Sequence, residues 1–299
     1  MLPETFSRQD AEIVLQCVGA AAIVTLVVYL SVRRRWRQAV RLPPPPVHRL
    51  EPIDLLLALM VGLLLPGMFV QAAGWISGVG LPAEVATQPA LTTASRPAET
   101  MPNDPRSVVG LAAGQIAAGA VLLLIGRLRF PGGLAAWGLS VTRWPAHLLR
   151  AVVTYVAIWP VCAGLLYLTL KVLWLFDAEY APPEHEAIRA LRAVDTPTWV
   201  RSLTVIGTLV LAPIVEELLL RGLIQSALAK WWRSQWQAII FSGCAFGLLH
   251  YSVGHTIPTL CFFGMVLGYV YAKTRSLTAV ILLHAVFNGK TLLWLAWGV

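Results

Sequence analysis

Hydrophobic residues form long blocks along most of the chain, and short polar segments separate these blocks. A helix needs about 20 apolar residues to cross a hydrocarbon core of roughly 30 Å, and eight blocks come close to or exceed that length. They are residues 12–32, 53–76, 107–126, 149–175, 203–228, 238–253, 257–272 and 277–297. The sixth and seventh are short and nearly contiguous, which predicts a tight or re-entrant hairpin. The pattern predicts an all-α polytopic membrane protein with about eight transmembrane helices.

Composition and charge support a membrane location. The chain has 299 residues, of which 57% are hydrophobic and 13% charged, whereas a soluble domain carries about 25% charged residues. The net charge of +8 could fit a nucleic-acid partner, but the basic residues cluster beside apolar blocks, as the positive-inside rule describes. We therefore expect a multi-pass protein of a bacterial or archaeal cell membrane, with no nucleic-acid partner and with both termini outside.

Polar residues divide the chain into two parts. Residues 1–199 supply membrane helices and loops, while residues 200–299 contain every group of polar side chains at membrane depth. The outer loop near 177–200 contains Glu184, His185 and Glu186. Such a mixture could bind a metal, but it is more typical of a solvated loop.

Three ionisable residues lie within the fifth apolar block. Glu217 and Arg221 are four residues apart, so on a helix they share a face and can pair. Glu216 points about 100° away from Glu217. A charged group at bilayer depth costs roughly 2.5–3.5 kcal/mol on insertion scales, and such groups usually have a function. We expect a structural pair between Glu217 and Arg221, which leaves Glu216 as an unpaired general base.

Two further pairs stand at the same helical spacing. Phe246 precedes His250 by four residues, and His284 precedes Asn288 by four residues. Counting about 1.5 Å of rise per residue from the ends of each block places Glu217, His250, His284 and Asn288 near the middle of the bilayer. The sequence therefore predicts that these polar groups converge inside the helix bundle.

Two kinds of chemistry fit this set of side chains. A carboxylate with a histidine can activate water, while a second histidine and an asparagine stabilise an oxyanion, which is a set suited to peptide hydrolysis. Alternatively, Glu216, His250 and His284 are a plausible ligand set for zinc or another divalent metal. The residues alone do not decide between a metal-dependent and a metal-independent site.

The three motifs resemble those of a known family. Glu216-Glu217 with Arg221, Phe246 with His250, and His284 with Asn288 are similar to the EExxxR, FxxxH and HxxxN motifs of the CPBP (CAAX protease and bacteriocin-processing, Abi) intramembrane proteases. This family includes the type II CAAX prenyl endopeptidases. The resemblance covers about residues 200–297 and identifies residues 200–299 as a CPBP-type catalytic membrane domain.

The resemblance implies a function and a role for each motif residue. It implies an intramembrane endopeptidase, of glutamate or metalloprotease type, that cleaves a membrane-associated or lipid-modified protein or peptide. Glu216 and His250 would activate water, and His284 and Asn288 would form the oxyanion site. Glu217, Arg221 and Phe246 would support them. The alternatives are a non-catalytic binding or immunity protein of the same family and an ion-coupled transporter.

The route to this site can also be predicted from the sequence. Trp137 and Trp144 lie in the basic inner segment and are expected at the headgroup level. Gln225 and Ser226 follow the glutamates toward that side. They are expected to line a polar funnel, so the site is predicted to open toward the basic face.

Overall fold

The computed structural model describes residues 41–76, 105–140, 142–193 and 196–296. The regular secondary structure of these residues is helical, with no strand among them. The first predicted span, residues 12–32, lies outside the described residues. The prediction of an all-α membrane protein is confirmed.

Nine helices follow one another in the described residues. They are α1 (Pro52–Leu59, continued through Met60–Leu64 and Leu65–Ile76), α2 (Pro105–Arg129), α3 (Gly133–Ala136), α4 (Trp144–Phe176), α5 (Glu186–Arg192), α6 (Thr198–Trp231), α7 (Gln235–Leu248), α8 (Ile257–Thr274) and α9 (Leu277–Ala296). A 3-10 turn, Tyr251–Thr256, joins α7 to α8.

Six helical stretches in the described part of the chain are long and apolar enough to cross a membrane: α1, α2, α4, α6, α9, and α8 together with the 3-10 turn before it. The exception among the predicted spans is the block at 238–253. The corresponding helix α7 ends at Leu248, and its 14 residues extend only about 20 Å at 1.5 Å per residue. Helix α7 is therefore shorter than a full span, and the 3-10 turn completes a hairpin with α8.

Helix α6 lies at the centre of the bundle. It packs against α1, α2, α7, α8 and α9, and small residues let these neighbours approach closely. At Gly62 of α1, for example, an added Cβ atom would stand 2.8 Å from the side chain of Leu219. Small residues at helix interfaces are typical of membrane bundles, where close packing of the helices replaces the hydrophobic effect.

One end of the bundle, the basic end, is made of residues 41–51, 129–140, 230–235 and 273–277. Its segments are tied together, since Arg129 pairs with Asp54 at 2.9 Å and Lys230 donates to the carbonyl of His48. Trp137 lies here, as predicted, but its side chain does not reach the surface. It is fully buried because its ring fills the space beside Gly126 and Gly222, and its Nε1 donates to the Gly222 carbonyl at 2.9 Å.

Candidate active site

The two adjacent glutamates lie between two departures from α-helical geometry in α6. Glu216 and Glu217 end a short α-helical segment, Ala212–Glu217. The π-helical turns Gly207–Leu211 and Leu218–Gln225 flank it. Such turns inside helices are frequently found at functional sites.

Glu217 belongs to a buried ionic network. Its Oε1 accepts from Arg221 at 3.0 Å, and both side chains have no exposed surface. The same oxygen lies 2.9 Å from Nδ1 of His284. Arg221 also donates to the carbonyl of Gly264 on α8 at 3.0 Å. The expected ion pair between Glu217 and Arg221 is present, and it connects α6 to α8 and α9.

Glu216 stands in a different environment. Its side chain keeps 29% of its surface exposed, and Oε2 lies 3.9 Å from Nε2 of His284. That oxygen is itself buried and has no hydrogen-bond partner in the structure. A buried oxygen with unused hydrogen-bonding capacity is costly unless water or a ligand satisfies it. Glu216 therefore presents a carboxylate that can accept a proton or bind a polar ligand.

His250 lies at the end of α7, and Phe246 positions it. Nδ1 of His250 is 2.9 Å from the Phe246 carbonyl. A carbonyl oxygen only accepts, so Nδ1 carries the proton and Nε2 is left as an acceptor. The Phe246 ring also packs against His250 and His284, with centroid separations of 5.0 and 5.3 Å, and the Arg221 guanidinium lies 4.9 Å from its centre. Phe246 thus packs against both histidines and the ion pair.

Asn288 connects α9 to α6. Its Nδ2 donates to the carbonyl of Thr208 at 2.9 Å. In the π-helical turn, the N–H of Ala212 donates to the carbonyl of Gly207, five residues earlier. The same pattern would pair the carbonyl of Thr208 with an N–H on residue 213. Pro213 has no N–H, and Asn288 supplies the missing donor. This bond uses one of the two N–H groups of the Asn288 amide.

The structure brings the predicted residues together unequally. Direct polar contacts join Glu217, Arg221 and His284, and Glu216 lies beside His284. The Phe246 ring packs against both His250 and His284, whereas the polar contact of Asn288 is with α6. Among the described residues, no group of three histidine, cysteine, aspartate or glutamate side chains is placed to hold a metal ion.

The expected polar funnel toward the basic end is not found at Gln225 and Ser226. Every residue of the closed half of α6, residues 217–229, is buried, whereas none of the residues in its open half, 201–212, is buried. Gln225 donates to the Gly268 carbonyl, and its Oε1 accepts from Ser242. Ser226 bonds to the Arg221 carbonyl. These polar groups satisfy one another inside the protein and do not line a path.

His185 is a residue near the site that spacing rules did not single out. It precedes α5, in the loop before α6, where burial among protein atoms and then His250 lower the pKa of its ring while Glu186 and Glu216 raise it. The only signal in the sequence was the mixed acidic and histidine composition of that loop. No helical periodicity connects the loop with α6 or α7.

Comparison with known proteins agrees with this geometry. Residues 198–289 match the family model described as Type II CAAX prenyl endopeptidase Rce1-like. This segment is similar to the type II CAAX prenyl endopeptidases. It begins at the first residue of α6 and includes all three motifs, in about a third of the 299-residue chain. No curated protein and no solved structure gives a match. This similarity supports a membrane-embedded, CAAX-protease-like endopeptidase at the level of the family.

Proposed function

We propose that the protein hydrolyses a peptide bond of a membrane-associated or lipid-modified protein or peptide, and that Glu216 is its general base. The contrast between the two adjacent glutamates supports this proposal. Glu217 is fully buried, and its Oε1 bonds to Arg221 and His284. Oε2 has no hydrogen-bond partner in either glutamate, but Glu216 is partly exposed and only approaches His284, at 3.9 Å. An unpaired carboxylate at membrane depth indicates function.

The proposed reaction begins with a water molecule held between Glu216 and Nε2 of His250. Glu216 takes a proton from this water, and the hydroxide attacks the carbonyl carbon of the substrate. The electron pair of the C=O bond moves onto oxygen and gives a tetrahedral oxyanion. The C–N bond then breaks, and the proton held by Glu216 passes to the leaving amine.

His284 and Asn288 are the proposed donors to the oxyanion. Asn288 has one N–H group beyond the one that bonds to Thr208. When both ring nitrogens of His284 carry protons, Nδ1–H bonds to Glu217 and Nε2–H points toward Glu216. Removal of one such donor typically lowers kcat about 10²–10³-fold. We expect losses of this size for Asn288→Ala and His284→Ala.

A divalent metal such as zinc is a separate proposal. Nδ1 of His250 faces the Phe246 carbonyl, and Nδ1 of His284 faces Glu217. Histidines that bind a metal through one ring nitrogen typically bond to the protein through the other in this way. However, Glu216, His250 and His284 are not gathered as a three-ligand group among the described residues, so the steps above use no metal. Zinc analysis of the purified protein, and activity after dialysis against a chelator, test a metal requirement.

The proposed hydrolysis can be tested with purified protein in proteoliposomes. A farnesylated peptide ending in a CAAX sequence and an unlipidated membrane-inserted peptide are incubated with wild type and Glu216→Gln, and the products are identified by mass spectrometry. General base catalysis contributes about 10²–10⁴-fold, so we expect a loss of that size in the variant. Equal cleavage by both proteins contradicts the proposal. Peptide binding without cleavage by wild type would favour a non-catalytic family member.

A further inference from the structure

Helix α2 packs against the part of α6 that leads to Glu216. A Cβ atom added at Gly119 of α2 would stand 3.7 Å from the side chain of Val215, the residue before Glu216, and one added at Gly207 of α6 would stand 3.8 Å from Oε1 of Gln115. Gln115 and Gly119 are four residues apart, so they lie on one face of α2. This face therefore borders α6 beside the proposed general base.

The direction of Glu216 follows from its two neighbours in the chain. They belong to one α-helical segment, in which successive side chains point about 100° apart. Val215 faces α2, whereas Glu217 faces α9, where its Oε1 contacts His284. Glu216 therefore points between α2 and α9. Its Oε2 lies 3.9 Å from His284 on the α9 side, and Gln115 belongs to the helix on the other side.

The buried oxygen of Gln115 has no polar partner. Gln115 is the only polar residue of α2 between Ser107 and Arg127, and its Oε1 is buried without a hydrogen bond in the structure. It lies about 15 Å along α2 from the first residue, at 1.5 Å per residue, and thus at membrane depth. A buried acceptor without a partner is costly and indicates a missing water molecule or ligand. Oε1 of Gln115 is therefore an unused acceptor close to the site.

A bound peptide has the donor that this oxygen lacks. Every residue of a peptide except proline carries a backbone N–H, and at membrane depth that group needs a partner within the protein. On the α9 side of Glu216, the proposed oxyanion donors Asn288 and His284 face the carbonyl group of the substrate. On the α2 side, Gln115 offers an acceptor, which suits an N–H group of the same peptide.

We propose that Gln115 is a further substrate-binding residue, whose Oε1 accepts a hydrogen bond from a backbone N–H of the peptide bound beside Glu216. The inference rests on the proposed endopeptidase function, because it takes the same site and names a residue that binds its substrate. It extends the substrate site to α2, which lies outside the segment that matches the family model.

Two substitutions separate the hydrogen bond of Gln115 from its packing. Gln115→Met keeps a side chain of similar length without a strong acceptor, while Gln115→Glu keeps an acceptor oxygen. The probe is a labelled farnesylated peptide, and its Kd is measured by fluorescence anisotropy in a Glu216→Gln background. We expect Gln115→Met to weaken binding about tenfold, the equivalent of one hydrogen bond, and Gln115→Glu to restore part of it. Because the lost oxygen has no partner in the free protein, Gln115→Met should not lower Tm.

Methylated probes test the bond itself. Versions of the peptide, each with a methyl group on one backbone nitrogen, are compared with Gln115 and with Gln115→Met in the same background. At the position whose N–H binds Gln115, the substitution should cause no further loss, because that peptide has already lost the donor. A tenfold further loss at every position would overturn the proposed bond.

The matched control is Gln237→Met, at an exposed glutamine near the start of α7, for which we expect an unchanged Kd. An unchanged Kd in Gln115→Met, an equal loss in the control, or a lower Tm in Gln115→Met would overturn the role of Gln115 and leave the proposed function intact. Cleavage that survives Glu216→Gln, or a Glu216→Gln protein that does not bind the probe, would instead contradict the proposed function.

Discussion

The two halves of α6 are both apolar in sequence, yet they have different surroundings. The closed half, residues 217–229, is buried at every position, and the open half, residues 201–212, is buried at none. A helix that is buried all round belongs to the core of a bundle. Glu216 is the residue directly before the closed half. The comparison indicates that the closed half is a rigid base for the site, whereas the open half keeps exposed surface.

The largest effect should come from removing the cation of the closed half. Arg221→Leu leaves the buried Glu217 carboxylate without its main partner, and breaking a buried pair costs about 3–5 kcal/mol. We expect a large drop in Tm in detergent and a low yield of folded protein. The matched control is Arg201→Leu in the open half, whose guanidinium donates to the Ala193 carbonyl. An equal drop in Tm in the two variants would show that the ion pair of the closed half stabilises the protein no more than the Arg201 bond of the open half.

An intermediate effect is expected from added volume at two glycines of α6. A Cβ at Gly222, in the closed half, would stand 2.5 Å from the ring of Trp137, whereas at Gly207, in the open half, its nearest neighbour, Oε1 of Gln115, would be 3.8 Å away. Overpacking costs about 1–3 kcal/mol, so Gly222→Ala should lower Tm. Gly207→Ala should leave it unchanged or raise it slightly, since alanine favours a helix by up to about 1 kcal/mol. Similar Tm values for both variants would contradict close packing around Trp137.

The smallest perturbation is a cysteine that reports water access. After replacement of the native cysteines, Ser226→Cys should not react with a membrane-impermeant thiol reagent in inside-out vesicles, because Ser226 is buried. Ser234→Cys, in the turn after α6 at the same basic end, should react. Denaturation should make both positions reactive. Equal labelling of both positions in the folded protein would support the polar funnel that the sequence predicted.

Sequence spacing predicted the local part of this site and missed the contacts between distant segments. The pair of Glu217 and Arg221 follows from helical geometry, since four residues separate them. The contact between Glu217 and His284 joins residues 67 apart in the chain, and helical spacing does not determine it. The placement of His185 depends on how a loop folds back over α6. Such contacts depend on tertiary packing.

Trp137 illustrates a different limit. Tryptophan beside a basic loop is typical of the membrane interface, and exposed Trp144 fits that rule. Trp137 is buried because Gly126 and Gly222, on two different helices, leave space for its ring. In the same way, residues 201–212 keep exposed surface, whereas residues 217–229 are enclosed by protein. Both halves are mostly apolar, so the packing of helices separates them.

The two adjacent glutamates have separate tasks, since Glu216 is the proposed general base and Glu217 holds the buried ionic network. Measurements of Tm and kcat/KM for both Glu216→Gln and Glu217→Gln test this claim most directly. Glu216→Gln should abolish turnover with a Tm close to that of wild type. Glu217→Gln should lower Tm by several degrees, because the substitution weakens the bonds to Arg221 and His284. In a protein of this size class, 1 kcal/mol of stability corresponds to roughly 2–4 °C in Tm. Equal losses of Tm in the two variants, or full turnover in Glu216→Gln, would contradict the account.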